Sequence, residues 1–460
     1  MTGSFLSISI APIVQTAGNG NSFQASSRLL KKWNIKENTT VILKIGKKEM
    51  NVEVHSAEIP LSEINFSTQL LNEFYLPNRE HKFLAKYISE KNTLQLGPIV
   101  GLLTDFQLND NNEPDFRSIH AFCEELHHGL FSLGGFFYVF QLSDYSNSTI
   151  KGYYFSDGEW TFGELPLPDV IYNRIHSRKL ECMENFRSVL QRVSNLHIPI
   201  FNERFLSKWE VHNRLMQEEH MHPYLPETIL FSKENLLYMI ERHGTLFIKP
   251  IHGSQGRSII KLTKTDDAFC LQTSFLSTGN IPIQKNSIEA VFRYLQQLFQ
   301  KKMYIIQQGV PLASLQARPM DFRVLCHKNE QELWKVTSLV ARISNENHFV
   351  SNIARGGELM KPHAALSSSF NKETAMEIIA LMKELSVETA SILSSKATGL
   401  IGELGVDIGI DSSGKLWIIE VNSKPSKNFE DPGQKIRPSA KSILTYCTML
   451  AFKATTEQEA

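Results

Sequence analysis

Apolar and polar positions alternate through the first ~95 residues, and in "TTVILKIGKKEMNVEVH" (residues 39–55) the alternation brackets a Gly-Lys-Lys turn, which predicts two short strands. A faint internal repeat lies in the same region. "SSRLLKKWNI" (26–35) and "STQLLNEFYL" (67–76) align at a spacing of 41 and match Leu29 to Leu70, Leu30 to Leu71 and Trp33 to Phe74. Two readings stay open for it: a doubled helix-plus-strand unit forming a small pseudo-symmetric barrel, or a chance match of leucine pairs.

The pattern changes at "LQLGPIVGLLTDF" (94–106), an apolar run closing in Thr104 and Asp105. A helical period follows in "FRSIHAFCEELHHGLFSLGG", then strand patterns in "FFYVFQLSDY" and "IKGYYFSDGEWTFGELPLPDVIYNRI". Strand, helix, strand order predicts an open α/β layer. A helical region spans about 181–220, Pro223 and Pro226 break it, and Ser232 caps the helix "SKENLLYMIERHG". Beyond lie the strands "TLFIKP", "MYIIQQGVPL", "DFRVLCH", "LWKVTSLVARIS", "ELGVDIGID" and "KLWIIEVN", with one long amphipathic helix before the closing hairpin. This half reads as α+β with mainly antiparallel sheet. The divisions predicted are 1–95, a small β-rich domain; 96–195, an α/β domain; and 196–455, a larger domain of two subdomains.

Composition narrows the class. At 460 residues the chain exceeds one ordinary core. Lys plus Arg and Asp plus Glu both total 48, so no global field recruits nucleic acid or an anionic membrane. Five scattered cysteines without a CxxC suit reduced thiols, and the N-terminus lacks the basic and long apolar stretches of a signal peptide. No segment reaches membrane-spanning length, so a cytoplasmic protein is expected, without membrane insertion.

Three groups carry candidate chemistry. In "GELGVDIGIDSSGKLWIIEVN" a turn centred near Ser413 and Gly414 places Asp407 opposite Glu420, with Asn422 on the same face. Opposed like charges destabilise a sheet, so something positive should lie between them. An all-oxygen set favours a hard cation such as Mg²⁺, whose remaining positions go to phosphate and water; the alternative is a solvated sheet face. In "FIKPIHGSQGRSI", Lys249 precedes Gly253, Ser254, Gln255 and Gly256, a loop able to offer backbone N–H groups to a phosphate, although it lacks the GK[ST] ending of a P-loop. A glycine-rich turn with an exposed lysine is the bland alternative. Arg323 in "MDFRV", Arg342 in "VARIS", and Asn352 and Arg355 in "SNIARGGE" form a third, cationic group aimed at an anion. No GxSxG and no nucleophilic cysteine context occurs, and the histidines of "HMHP" lack zinc-site spacing.

Taken in order, Lys249 and its loop, "YIIQQGV", "DFRV", Arg342, "SNIARGG" and "GVDIG…IIEVNSKPS" resemble the ATP-grasp fold, with motifs similar to RimK-type ligases. "LGPIVGLLT", "LPDVIYNRI" and "FNERFLSKWEVHNRL" resemble the YheC/YheD family of endospore coat-associated proteins. The resemblance implies a multidomain α+β and α/β chain: an ATP-grasp fold preceded by an α/β pre-ATP-grasp domain and the small β-rich domain. It further implies ATP and Mg²⁺ as cofactors, Lys208 and Lys249 on the phosphates, and a hinge of Gln307, Gln308 and Val310 that reads adenine. Arg323, Arg342 and Asn352 would be catalytic, and Asp407, Glu420 and Asn422 would hold the metal. The implied activity is carboxylate–amine ligation through an acyl phosphate, with a small-molecule or peptide carboxylate and a nucleophile as substrates. The implied setting is spore coat formation, with coat proteins as partners. The alternative is a non-catalytic nucleotide-binding structural component of the coat. Two departures from the family pattern are Gln308, where many relatives have Glu, and Gly405, where several peptide-forming relatives have Arg.

Overall fold

The computed structural model describes residues 5–13, 21–146, 148–253, 258–274, 282–299, 302–344, 357–427 and 436–453. The chain opens with a closed barrel of strands in the order Leu6–Ile13, Glu63–Ser67, Ser22–Ala25, Lys48–Ser56, Thr39–Ile45, Thr93–Gly97 and His81–Ile88. The repeat is real in three dimensions. Helices Ser27–Trp33 and Thr68–Glu73 are each capped by the preceding serine, Ser26 accepting from Leu29 N–H at 3.3 Å and Ser67 from Leu70 N–H at 3.0 Å. Such caps contribute about 1 kcal/mol each. The two copies meet where Gln24 pairs with Asn65, flanked by Phe23 with Phe66 and Ala25 with Ile64. Gln24 and Asn65 are equivalent at the 41-residue spacing, so a pseudo-twofold axis passes between them. The repeated residues Leu29, Leu70, Leu30, Leu71, Trp33 and Phe74 all face the core.

The middle unit is a mixed sheet ordered Glu159–Pro166, Thr149–Ser156, Phe136–Phe140, Ile99–Leu103, Val170–Asn173 and Ile200–Phe201. Its last four strands run parallel. Parallel strands covered on both faces read as continuous apolar runs. Accordingly Ile99 and Leu103 join the barrel's core, whereas Val100 and Leu102 face helix His120–Leu133. Helix Pro438–Lys453 returns from the far end of the chain to pack on that second face, with Leu444 and Tyr446 among Phe122, Leu126 and Leu130.

Two antiparallel sheets complete the fold. One runs Thr228–Leu230, Tyr304–Gln308, Thr245–Pro250, Ile260–Lys264, Phe269–Thr273 and Ile283–Lys285, and shares a core with helices Lys233–His243 and Ile288–Phe299. The other runs Glu358–Met360, Trp334–Ile343, Arg318–Lys328, Glu403–Ile410 and Leu416–Asn422, backed by helix Lys372–Ser395. Among the described residues no helix is long and apolar enough to cross a membrane.

Gly46 closes the hairpin between the barrel strands Thr39–Ile45 and Lys48–Ser56 at φ +58°, and a Cβ there would lie 2.1 Å from the Leu167 carbonyl oxygen of the middle unit. Gly46→Ala is therefore expected to destabilise the barrel–sheet junction by more than the roughly 1–2 kcal/mol of a left-handed non-glycine residue alone. A lower melting temperature by calorimetry is the expected result, with a smaller loss in Gly158→Ala, where an added Cβ would meet nothing within 4 Å.

Candidate functional site

A cleft of about 430 Å³ lies between the two antiparallel sheets and helix Lys208–Leu215. Val211, Leu215, Leu225, Pro226, Ile305, Ile418 and Val421 make its walls apolar, while Lys208, Lys249 and Glu420 make it polar. The apolar walls suit a flat ring and the lysines suit an anion.

The closing hairpin brings Asp407 opposite Glu420 and Gly405 opposite Asn422. The pairing expected from sequence is present, but its route differs. Ile410 pairs with Leu416 and Ile408 with Ile418, so the turn centres on Ser413; a one-residue bulge then leaves Ile419 unpaired and restores Asp407 to Glu420. The positive charge expected between the acids comes from the protein itself. Arg323 donates to both oxygens of Asp407, through Nε to Oδ1 and through Nη2 to Oδ2 at 3.0 Å. Arg342 grips Asp321 at 2.6 and 2.8 Å and reaches Asp407 Oδ2 at 3.3 Å. Lys208 donates to Glu420 Oε1 at 2.7 Å and to the Gly253 carbonyl at 3.1 Å. Burial raises the Asp407 carboxyl, yet Arg323 and Arg342 outweigh it and hold the group below the usual carboxylate range. Burial lowers Arg342 as well, and Asp321 with Asp407 reverses that.

Lys249 is not the exposed lysine of the bland reading: it is 5% exposed and donates to Gln307 Oε1 at 2.5 Å. Burial pushes it down to about 8, the nearby Lys208 adds to the fall, and Glu420, Asp407 and Asp321 oppose it. Gln307 lines the cleft and donates to Thr228 Oγ1 at 3.2 Å. Gln308 and Val310 do not line it, and the Gln308 backbone N–H already donates to the Glu227 carbonyl at 2.8 Å. Ser254, Gln255, Gly256, Asn352 and Arg355 fall outside the described residues.

Among the described residues, four cations (Lys208, Lys249, Arg323, Arg342) and three carboxylates (Asp321, Asp407, Glu420) meet around the polar end, one more positive charge than negative. On the Leu416–Asn422 strand, Glu420 Oε2 and the Asn422 amide make no hydrogen bond among the described residues. One free carboxylate oxygen and one amide oxygen, two residues apart, fit a hard cation whose other ligands are phosphate and water. Asp407, with both oxygens engaged by arginine, fits it less well. No cluster of three or more His, Cys, Asp or Glu side chains suited to a metal occurs among the described residues.

Sequence reasoning missed several residues behind this face. Asp321 orients Arg342, and its signal was visible: in "DFR" the acid and Arg323 share a strand face at i and i+2. The other omission is a buried hub on Glu403, which is wholly inaccessible. Tyr172 Oη donates to its Oε2 at 2.6 Å, Arg174 Nη1 to Oε2 at 3.4 Å, and Lys427 Nζ to Oε1, with His327 Nε2 3.0 Å from Oε1. Tyr172 and Arg174 come from the middle sheet, His327 and Glu403 from the clamp, and Lys427 from the loop beyond Asn422. The hub fixes that loop, where Pro425 O accepts from Arg174 at 2.9 Å and Lys424 pairs with Glu181.

A clamp of two antiparallel sheets closing on an apolar cleft with a cationic end is the ATP-grasp class of fold. The chain belongs to the YheC/D like ATP-grasp family, whose profile matches residues 197–450, more than half of it. It is 28% identical over 401 residues to the endospore coat-associated protein YheD of Bacillus subtilis, covering 86% of this chain and 87% of the relative. It is 23% identical over 305 residues to the endospore coat-associated protein YheC of the same organism, covering 65% and 80%. Among solved structures, the D-alanine-D-alanine ligase from Coxiella burnetii aligns at TM-score 0.46 and 10% identity, over 78% of this chain and 97% of that one.

Glu403→Gln removes the buried carboxylate that Arg174 and Lys427 share and is expected to cost about 3–5 kcal/mol, read as a lower urea midpoint. A second expectation concerns pH. Protonated Lys249 attracts an anion and titrates near 8 without one, and a bound anion raises that value. Affinity for a triphosphate should therefore be full below pH 8 and fall above it, by at most about tenfold per unit. Calorimetric titrations at pH 7, 8 and 9 should show this slope in the wild type and a shallower one in Lys249→Met.

Proposed function

We propose that this protein binds ATP with Mg²⁺ in the cleft and uses it to join a carboxylate to an amine or similar nucleophile through an acyl phosphate, in association with the spore coat. The observation that carries the reading is the net-positive group of Lys208, Lys249, Arg323 and Arg342 at the end of an apolar cleft. Nucleotide, metal and phosphoryl transfer need such charge placement and no side-chain nucleophile. Family membership and the coat-associated names of the relatives support the nucleotide and the setting.

Apolar walls hold adenine beside Gln307 and Thr228, and Lys208 and Lys249 face the phosphates. Glu420 and Asn422 would hold Mg²⁺, which would offset the charge of the phosphates. Arg323 and Arg342 keep Asp407 ionised beside them and add positive field where charge develops. A second reading, a nucleotide-binding coat component without turnover, draws on one feature: both Asp407 oxygens are engaged by arginine, leaving little room for the metal.

Calorimetric titration of Mg·ATP should show binding by the wild type and a roughly 10- to 100-fold loss in Lys249→Met, the scale of a charge-assisted hydrogen bond. No binding by the wild type at millimolar nucleotide would sink the site. ADP release with pooled carboxylates and amines then separates the readings: release supports ligation, and binding without release supports the structural role.

A further inference from the structure

Beyond the carboxyl ends of its parallel strands the middle sheet carries a cluster of polar side chains that the nucleotide site does not use. Ligands of open α/β sheets bind beyond the carboxyl ends of parallel strands. There Asp105 follows strand Ile99–Leu103 and His176 follows strand Val170–Asn173. Asp105 Oδ1 accepts the His176 backbone N–H at 2.5 Å and lies 3.4 Å from His176 Nδ1, while Arg117 Nη1 holds Oδ2 at 2.9 Å. Burial raises the Asp105 carboxyl, but hydrogen bonds from the His176 ring and backbone, with the charges of His176 and Arg117, bring it to about 2. It is a carboxylate at any working pH.

The hydrogen-bond pattern fixes the imidazole. Thr104 Oγ1 donates its proton to the Arg174 carbonyl at 3.0 Å, so toward His176 Nδ1, 3.3 Å away, it can only accept. Both neighbours of Nδ1 are thus acceptors, and Nδ1 carries the hydrogen. In the neutral ring Nε2 then has a lone pair, shielded from solvent and without a hydrogen-bond partner among the described residues. A buried acceptor of this kind calls for a donor.

Hydrogen bonds tie this cluster to the phosphate end of the cleft. Arg178, two residues beyond His176, donates to the Leu206 carbonyl at 3.1 Å, and the Leu206 N–H donates to Ser423 Oγ at 3.1 Å, next to Asn422. Arg174, two residues before His176, bonds Pro425. Among the described residues, the charged groups coupled to Asp105 are His176, Arg117 and, from the loop beyond Asn422, Lys424. Gly405 offers no alternative group, since a Cβ there would meet Pro425 Cβ at 2.7 Å.

We propose that His176, oriented by Asp105 and Thr104, is the general base that takes the proton from the nucleophile as it attacks the acyl phosphate. The inference rests on the ligase reading. The nucleophile's lone pair forms the new bond to the acyl carbon, and its proton passes to Nε2. The carbon–oxygen bond to phosphate breaks with its electron pair on departing phosphate. Asp105 stabilises the imidazolium until its proton passes to the departing phosphate.

The test combines three measurements. In the free protein, ¹⁵N NMR identified by comparison with His176→Gln should show the Nδ1–H tautomer; the Nε2–H tautomer overturns the proposal. With the carboxylate and amine found by ADP release, His176→Gln should lower kcat by about 10²- to 10⁴-fold with little change in KM, and Asp105→Asn should lower it less. His176→Gln should lose the acid limb of the wild-type pH profile, whereas Asp105→Asn, which keeps the imidazole, should retain one. Hydroxylamine, which is unprotonated at neutral pH and needs no base, should give hydroxamate at similar rates in wild type and His176→Gln. Equal loss of amine and hydroxylamine products in the variant assigns His176 a structural role and overturns the proposal, as does an unchanged amine rate. Absence of hydroxamate from the wild type is a failure of the ligase reading instead.

Discussion

The buried Glu403 carboxylate is the constraint on which the arrangement of the three units depends. An ion stripped of water is costly unless partners surround it, and Tyr172, Arg174, His327 and Lys427 do so from three separate parts of the chain. Its backbone carbonyl accepts from Asn202 at 2.8 Å, which adds the segment entering the clamp. The attractions are strong only in this one mutual placement, so the carboxylate contributes orientation more than net stability. The loop that follows Asn422, the strand ends of the middle sheet and the floor of the clamp are all referred to the same two oxygens.

The cleft shows the complementary strategy. Asp407 and Asp321 are held by Arg323 and Arg342 in a short ladder across neighbouring strands, in a register that sets Arg323 against Asp407 and Asp321 against Arg342. Each arginine meets a carboxylate edge-on, the geometry a guanidinium offers and an ammonium does not. Lysines instead present single point charges: Lys208 between Glu420 and Gly253, and Lys249 against Gln307.

What the sequence reveals follows the range of the interactions. The 41-residue repeat and its serine caps are local, so pattern exposes them. The hairpin acids were legible because a turn constrains register, although the bulge at Ile419 was not, since a simple hairpin predicts the same pair from a turn shifted by half a residue. Arginines interleaved in strands were visibly directed inward, but their immediate anions are protein carboxylates, a distinction that needs coordinates. The Glu403 hub joins residues more than 200 positions apart, and no periodicity announces such a meeting. Of the expected hinge, Gln307 lines the cleft, while the Gln308 backbone N–H serves Glu227.

Helix Pro438–Lys453 supplies part of the core over the middle sheet, beside a helix that precedes it by more than 300 residues. During synthesis that face, covered in part by helix His120–Leu133, must wait for its last helix while the entire clamp emerges. Units of this protein are thus not completed in the order in which the ribosome delivers them. The middle of the chain is finished last, and the interval before closure is when it most needs protection from aggregation.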